Sequence, residues 1–250
     1  MPRVKLVIAY EGTDFSGWQL QARDRTVQGE LEGALARLVG VPVRAHGSGR
    51  TDAGVHAMGQ VVHFDCAEDR MGLPWRRALN ALLPPDVRVL DAEPVSDDFH
   101  ARYSAEYKTY EYVLWHEAGY CLPQRRRFVW NCGPVDFTAM EAAAALLVGE
   151  HDFSAFQNVG TPVKSTVRTI FDLSRHAASD PRESVWRFTA NGFLKQMVRN
   201  IMGCLVACGR GFLPVLQVRQ ILDSGDRSKA PATAPPQGLS LVCLKYHHPS

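Results

Sequence analysis

Two stretches of the sequence decide the fold: VKLVIAY at residues 4–10 and TVQGELEGALARL at residues 26–38. The first alternates and then continues apolar, which is typical of a β-strand. The second begins with Thr26, a good N-cap residue, and repeats apolar side chains at helical spacing. These side chains are Val27, Leu31, Leu35 and Leu38. The chain is therefore predicted to open with a strand followed by a helix.

Working outward, the rest of the first half adds three strands and a second helix. Gly40 and Pro42 end the first helix. A glycine-rich loop follows, and Pro74 is well placed to start the next helix. The predicted elements are a short strand at 41–45, a strand at 60–64, a helix from Pro74 and a strand at 87–90. The predicted order is β-α-β-β-α-β.

The second half repeats this order once one extra helix is set aside. Its predicted elements are strands at 107–115, 165–173, 185–190 and 239–246, and helices at 135–147, 193–208 and 216–222. Two such units indicate an α+β fold made of two ferredoxin-like or RRM-like halves. We expect a boundary near residues 100–105, giving halves 1–103 and 104–250 with a cleft between them, a common place for ligands.

Composition is that of an ordinary soluble globular protein, with 46% hydrophobic and 22% charged residues. No apolar run approaches the roughly 20 residues that span a bilayer, so no membrane association is predicted. The first residues lead straight into a strand without a secretory apolar region, so a cytoplasmic location is the default expectation.

The six cysteines favour reduced, packed thiols over a metal site. Cys204 and Cys208 lie one helical turn apart, but no second pair of ligands accompanies them. We therefore predict no zinc.

The distribution of charge says more than the net charge of +2. Residues 161–211 carry eight Lys/Arg against three Asp/Glu, and Arg125, Arg126 and Arg127 form a separate cationic run. Such clusters can neutralise phosphates. They are more often solvated faces, and charge alone favours that interpretation.

The most informative stretch is GSGRTDAGVHA at residues 47–57. Its glycines imply tight turns and close approach of another backbone. Arg50 could bind a phosphate bidentately or keep Asp52 ionised, and an ionised Asp on a rigid loop suits nucleophilic or general-base chemistry. A structural turn, in which Asp52 caps backbone N–H groups, is the alternative.

A second enzyme class has to be weighed at this point. Asp52, His56, His63 and Asp65 form a carboxylate and imidazole set of the kind that a metal-dependent phosphohydrolase uses. Asp52 and His56 are separated by a glycine-interrupted loop, so nothing in the spacing enforces shared ligation. His63 could equally be a satisfied residue of a sheet.

The segment GRTDAGVHA at 49–57 resembles, without a mismatch, the signature of the TruA family of tRNA pseudouridine synthases. Six further segments resemble that family in the same order. They are YEGTDFSGWQ at 10–19, DFHARYSA at 98–105, KTYEY at 108–112, GEHDFSAF at 149–156, MVRN at 197–200 and APPQGL at 234–239. The resemblance spans nearly the whole chain.

The resemblance implies a pseudouridine synthase fold and the isomerisation of uridine to pseudouridine. It makes Asp52 the essential aspartate, Tyr110 the tyrosine that packs against the target base, and Arg199 a basic residue that pairs with the aspartate. Arg50, His56 and residues 125–127 are candidates for holding the RNA backbone beside a flipped-out base.

The resemblance also implies a substrate, tRNA modified in its anticodon stem-loop at about positions 38 to 40. It implies a homodimer and no cofactor or metal. Two questions stay open at this level. Asp52 could attack C1′ or remove a ribose proton, and the chain could be an RNA-binding module of the same fold without turnover.

Overall fold

The computed structural model describes residues 2–158, 160 and 163–246. The chain contains ten strands and five α-helices within this part. They are β1 (Arg3–Tyr10), α1 (Val27–Val39), β2 (His46–Gly47), β3 (His56–Asp65), α2 (Trp75–Asn80), β4 (Val87–Val95), β5 (Ala105–Trp115), β6 (Trp130–Asn131), α3 (Phe137–Ala145), β7 (Gly149–Asp152), β8 (Val167–Ala177), β9 (Glu183–Ala190), α4 (Met197–Gly209), α5 (Val215–Ser224) and β10 (Leu239–Tyr246).

The α+β class is confirmed, and the chain divides into two compact units. Unit 1 runs up to Glu106 and takes in the residues from Ser240 onward, whereas unit 2 is Tyr107–Leu239. The β-α-β-β-α-β order is present along each half, with β6, β7 and α5 as additions to the second. The closing strand β10 groups with unit 1 by its contacts, whereas the sequence suggested halves 1–103 and 104–250.

The sheet of unit 1 has the strand order β4-β1-β3-β10, and β2 also pairs with β3. Strand β1 is antiparallel to both β3 and β4, whereas β10 runs parallel to β3. The alternation seen in the sequence of β1 is real, because every second residue from Val4 to Tyr10 is buried. Strand β3 is buried on both faces, which explains why its sequence does not alternate.

Helix α1 is confirmed with its caps, but the predicted strand at 41–45 is wrong. The Thr26 side chain accepts from the N–H of Gly29, and Gly40 ends the helix in the left-handed conformation. After the helix, side chains of α1 form hydrogen bonds with backbone groups that a strand would need for pairing. The Ala45 N–H donates to Glu32, and its carbonyl accepts from Gln28. Only His46 and Gly47 remain to pair with β3.

The sheet of unit 2 has the strand order β5-β9-β8-β7, with β6 pairing with β5. The β5–β9, β9–β8 and β8–β7 pairs are antiparallel, and the two-residue strand β6 is parallel to β5. Strands β6 and β7 were not predicted, since stretches of two and four residues are too short for a periodic signal. Helix α3 packs against α4 and α5.

Helix α4 begins at Met197, four residues later than the predicted start at Phe193. Gln196 has a φ of 60°, the only positive φ of a non-glycine residue in the described part of the chain. That left-handed conformation cannot continue a right-handed helix. The preceding carbonyl, of Lys195, accepts the N–H of Asn158. The apolar spacing of residues 193–208 therefore placed the start of the helix too early.

No helix in the described ranges combines the length and the apolar character needed to cross a membrane.

Candidate active site

Asp52 lies in unit 1, in the loop that joins β2 to β3, and is half-buried. The loop turns back directly after it, because the Val55 N–H donates to the Asp52 carbonyl at 3.1 Å. Gly54 supplies the positive φ, 78°, that this turn requires. Thr51 and Val55 are buried on either side. The loop is thus anchored around a carboxylate that is partly open to solvent.

A second turn, residues 12–18, packs its backbone against the Asp52 loop. A methyl group on Gly12 would lie 2.0 Å from the Val55 carbonyl oxygen, and one on Gly17 would lie 2.7 Å from that of Thr51. The Trp18 N–H donates to the Thr51 carbonyl at 3.1 Å. Only glycine allows so close an approach. Residues 12–18, within the YEGTDFSGWQ segment, therefore hold the loop in place, and we call them the clamp turn.

Buried polar side chains hold the other side of the loop. The hydroxyls of Tyr10 and Thr51 form a buried hydrogen bond of 2.8 Å. The Gln60 side chain accepts from the Ser48 hydroxyl at 2.6 Å and donates to the Gly49 carbonyl at 2.8 Å. Burial raises the pKa of Tyr10, which keeps its hydroxyl protonated. The residues preceding Asp52 are consequently fixed by β1 and β3.

His56 belongs to this support. Its side chain is 4% exposed, and Nδ1 accepts the N–H of Gly12 at 3.0 Å. A ring that accepts at Nδ1 and is almost fully buried is placed to hold the clamp turn against β3. His56 was predicted to contact substrate, and that role stays a prediction, while its Nδ1 fixes the Gly12 backbone.

Arg50 is the cation of the Asp52 loop, and its predicted contact with a phosphate stays a prediction. It is exposed and, within the described part of the chain, makes no hydrogen bond or ion pair. Arg50 precedes Asp52 by two residues on the same loop. It is therefore available to an anion without first breaking an internal contact.

Tyr110 and Arg199 lie in unit 2. Tyr110 is in the middle of β5, opposite Phe188 of β9, and only 7% of it is exposed. Its ring meets that of Phe193 edge to face, with centroids 5.2 Å apart. The Arg199 Nε donates to the Ala234 carbonyl at 2.8 Å, and the Ala234 N–H donates back to the Arg199 carbonyl at 3.1 Å. Arg199 is half-buried on α4.

A network that the sequence did not reveal surrounds the start of α4. Asn200 is fully buried and donates to the Phe156 carbonyl and to Asn158, while its oxygen accepts from Arg227 and Thr233. Arg227 also donates to Asn158 and to the carbonyls of Ala230 and Pro231. We call Asn158, Asn200, Arg227 and Thr233 the amide hub. It fixes the residue next to Arg199.

The amide hub could have been suspected from one signal only. Asn200 is an uncharged polar residue among the apolar positions of the predicted helix, where a buried amide needs partners. Nothing in the spacing points to Arg227, which is twenty-seven residues away.

The Arg125–Arg127 run is partly used inside unit 2. Arg125 forms a bidentate ion pair with Glu183. Its Nε and Nη2 donate to the two carboxylate oxygens at 2.6 and 2.9 Å, and Glu183 is buried. Losing this pair would leave a buried carboxylate without its partner, so Arg125 has a structural role. Arg126 is exposed, and its side chain has no hydrogen-bond or ion-pair partner among the residues that the structure describes.

The proposed phosphohydrolase ligands are engaged elsewhere. Both oxygens of Asp65 accept from Arg3, at 2.7 and 3.1 Å. His63 is buried, and its Nδ1 accepts the N–H of Ala101 at 3.1 Å. Among the described residues, no group of three or more His, Cys, Asp or Glu side chains could hold a metal ion.

Comparison with known proteins agrees with the resemblance noted above. A family model described as tRNA pseudouridine synthase matches residues 6–104 and 143–247. These ranges include Asp52 and Arg199 and leave out Tyr110. A protein of Solidesulfovibrio magneticus named tRNA pseudouridine synthase A is 57% identical, over 100% of this chain and 93% of its own length. One of the same name from Maridesulfovibrio salexigens is 55% identical, over 98% and 91%.

Likeness to solved structures is weak. A crystal structure of the archaeal box H/ACA sRNP Nop10–Cbf5 complex aligns over 81% of this chain and 43% of that chain, with a TM-score of 0.35 and 12% sequence identity.

Proposed function

This chain belongs to the tRNA pseudouridine synthase family, and on that premise we propose that Asp52 is its catalytic residue, acting on the anticodon stem-loop of tRNA at about positions 38 to 40. The observation that carries the proposal is the Asp52 loop itself. A half-buried carboxylate stands on a loop clamped by the glycines of residues 12–18 and by Tyr10 and Gln60. Such anchoring is what a preorganised catalytic group needs.

The reaction rearranges one bond and needs no redox partner. The N1–C1′ bond of uridine breaks, the uracil turns, C5 bonds to C1′, and the proton on C5 is lost as N1 gains one. Asp52 starts the sequence either by attacking C1′ or by removing a ribose proton. Both routes require an ionised carboxylate close to the sugar, which a loop residue open to solvent can supply.

Tyr110 and Arg199 are proposed to complete the site. Tyr110 offers a flat ring against which the detached base is held, a contact typically worth about 1–3 kcal/mol per base. Its edge-to-face contact with Phe193 fixes the ring plane. Arg199 is proposed to pair with the carboxylate of Asp52, and its bond to Ala234 limits the positions of its guanidinium. Arg50 is proposed to bind a backbone phosphate, and His56 to support the loop.

The working form is proposed to be a homodimer in the cytoplasm, as the family resemblance implies.

The test is incubation of the protein with unmodified tRNA, followed by carbodiimide treatment and primer extension to locate pseudouridine. For the Asp52→Asn variant we expect tRNA binding close to that of the wild type and product formation lower by at least about a thousandfold. Binding is measured by filter retention, so a folding defect would be visible as lost affinity.

The matched control is Asp24→Asn, which removes a carboxylate from the exposed loop that follows the clamp turn. It should modify tRNA at the wild-type rate. Turnover of Asp52→Asn near that rate would show that another group performs the chemistry. If the wild type binds tRNA and forms no pseudouridine, the chain is an RNA-binding module without turnover.

A further inference from the structure

A cavity of about 480 Å³ lies in unit 1 at the start of α2, away from the residues of the Asp52 loop. Helix α2 contributes Trp75, Arg76 and Arg77 to its wall, and β4 contributes Ala92 and Pro94. Its volume falls within the range of sites that hold small ligands or parts of larger ones. No role in the proposed reaction accounts for it.

Two cations face this cavity without an internal partner. Arg76 and Arg77 are both exposed, and neither side chain forms a hydrogen bond or ion pair with the part of the chain that the structure describes. Each guanidinium carries five N–H donors and no acceptor. The nearest acid along β4, Glu93, is already paired with Lys5. The wall therefore offers unneutralised positive charge.

Trp75 packs beneath the same wall. The indole N–H of Trp75 is buried and finds no acceptor among the described residues. A buried donor without an acceptor is unfavourable. Because that N–H is closed off from the cavity surface, the donors open to a ligand are those of Arg76 and Arg77. Met71, Leu73 and Pro94 supply apolar surface beside these donors, suited to the sugar of a nucleotide.

Strand β1 gives the distance to the reaction. Ala92 and Pro94 pair with Leu6 and Val4 at one end of β1. The other end is Tyr10, whose hydroxyl holds Thr51. Four to six residues of strand separate them, which at about 3.3 Å per residue is roughly 13–20 Å. A macromolecular substrate can bridge this separation, whereas the target nucleotide alone cannot.

We propose that this cavity binds a backbone phosphodiester of the substrate RNA, away from the uridine that reacts. The inference rests on the proposed function, because tRNA is the polyanion that this protein would meet. Two unpaired guanidiniums on one wall match a phosphate better than any neutral ligand. The contact would position the RNA without reading its sequence.

The test replaces both cations in the full-length protein. For Arg76→Ala/Arg77→Ala we expect the Kd for unmodified tRNA to rise about tenfold at low salt. The slope of log Kd against log salt should fall by about one to two, as expected when one or two phosphate contacts are lost. The loss should be found in KM and not in kcat, since the cavity does not contain reacting atoms.

The matched control is Arg37→Ala/Arg219→Ala, which removes the same charge from exposed positions on α1 and α5. It should change Kd less than twofold. Circular dichroism of both double variants checks that the fold is retained.

Ethylation interference gives a readout independent of turnover. Ethylating a phosphate that the cavity binds should weaken RNA binding by the wild type and leave RNA binding by Arg76→Ala/Arg77→Ala unchanged. Identical interference patterns for the two proteins, or equal salt slopes for the double variant and its control, would overturn the proposal. Because both are binding measurements, they stand even if the wild type makes no pseudouridine.

Discussion

The Asp52 loop in unit 1 and the Arg199 segment in unit 2 are held by different means. The loop is held chiefly by close packing of backbone on backbone, with Gly12 and Gly17 where any side chain would collide. The Arg199 segment is held by the amide hub, in which Arg227 and Asn200 satisfy buried polar groups. The first region depends on glycines that have no side chain, and the second depends on buried hydrogen bonds.

The difference predicts different weaknesses. A loop fixed by steric exclusion should tolerate the loss of a hydrogen bond better than the gain of a methyl group. A buried polar network should behave in the opposite way, because removing one member leaves several donors and acceptors unpaired. Four measurements test this difference.

The largest effect is expected for Gly12→Ala. The added methyl group would meet the Val55 carbonyl oxygen at 2.0 Å, so one of the two turns must move, and we expect a loss of at least about 3 kcal/mol in the free energy of unfolding. Urea denaturation measures it. The control Gly33→Ala, in α1 with nothing within 4 Å, should instead gain about 0.5–1 kcal/mol. Equal effects would remove steric exclusion as the explanation.

The next effect is expected for Asn200→Ala. The change leaves Arg227, Thr233 and the Phe156 carbonyl each short of a buried partner, and we expect a loss of about 2–3 kcal/mol. The control Asn131→Ala removes one exposed hydrogen bond, to Gly119, and should cost less than about 1 kcal/mol. A hub variant as stable as its control would mean that the network is not what holds α4.

Unit 1 should also respond to acid where the amide hub does not. Burial lowers the pKa of His63 from 6.5 to about 4, and nearby His100, Arg3 and His46 act in the same direction. The unfolded chain therefore takes up the proton first. The contribution of His63 is complete above about pH 6.5 and is lost as the pH falls toward 4.

At about 1.4 kcal/mol per pH unit, this is a loss of about 2 kcal/mol between pH 6.5 and 5. Unfolding curves of the wild type and of His63→Gln should diverge by that amount over this interval. Parallel curves would show that His63 is not held neutral. The amide hub contains no histidine, aspartate or glutamate.

The smallest effect is expected for Tyr10→Phe. The variant removes the hydroxyl that bonds to Thr51 at 2.8 Å and leaves the ring in place, so the loss should be about 1 kcal/mol. A double-mutant cycle with Thr51→Val should return a coupling energy of similar size. A loss as large as that of Gly12→Ala would mean that the hydrogen bond, and not the packing, fixes the loop.

Much of the fold could be predicted from periodicity and capping. Strand β10 was predicted to the residue, and α1 to within one residue, because both combine regular spacing with clear stop signals. The errors occur where tertiary contacts override a local signal. Glu32 and Gln28 capture the backbone of Ala45, and Gln196 interrupts a spacing that looks helical from Phe193.

The sequence indicated which residues belong to the candidate site but not which contacts they make. The segment around Asp52 stands out in the sequence, yet nothing in it says that His56 turns inward to Gly12 or that Arg125 is used by Glu183. Those pairs join residues 44 and 58 positions apart. Only the folded chain brings them together, and short-range spacing carries no information about them.

The parallel pairing of β10 with β3 has a consequence for how the protein is made. Ser240 and Leu241 align with His56 and Ala57, the first residues after the Asp52 loop. On the ribosome, unit 1 therefore has an open edge beside that loop until the codons for β10 have been read. By then the whole of unit 2, Tyr107–Leu239, has been synthesised. The half that begins first is the half that is completed last.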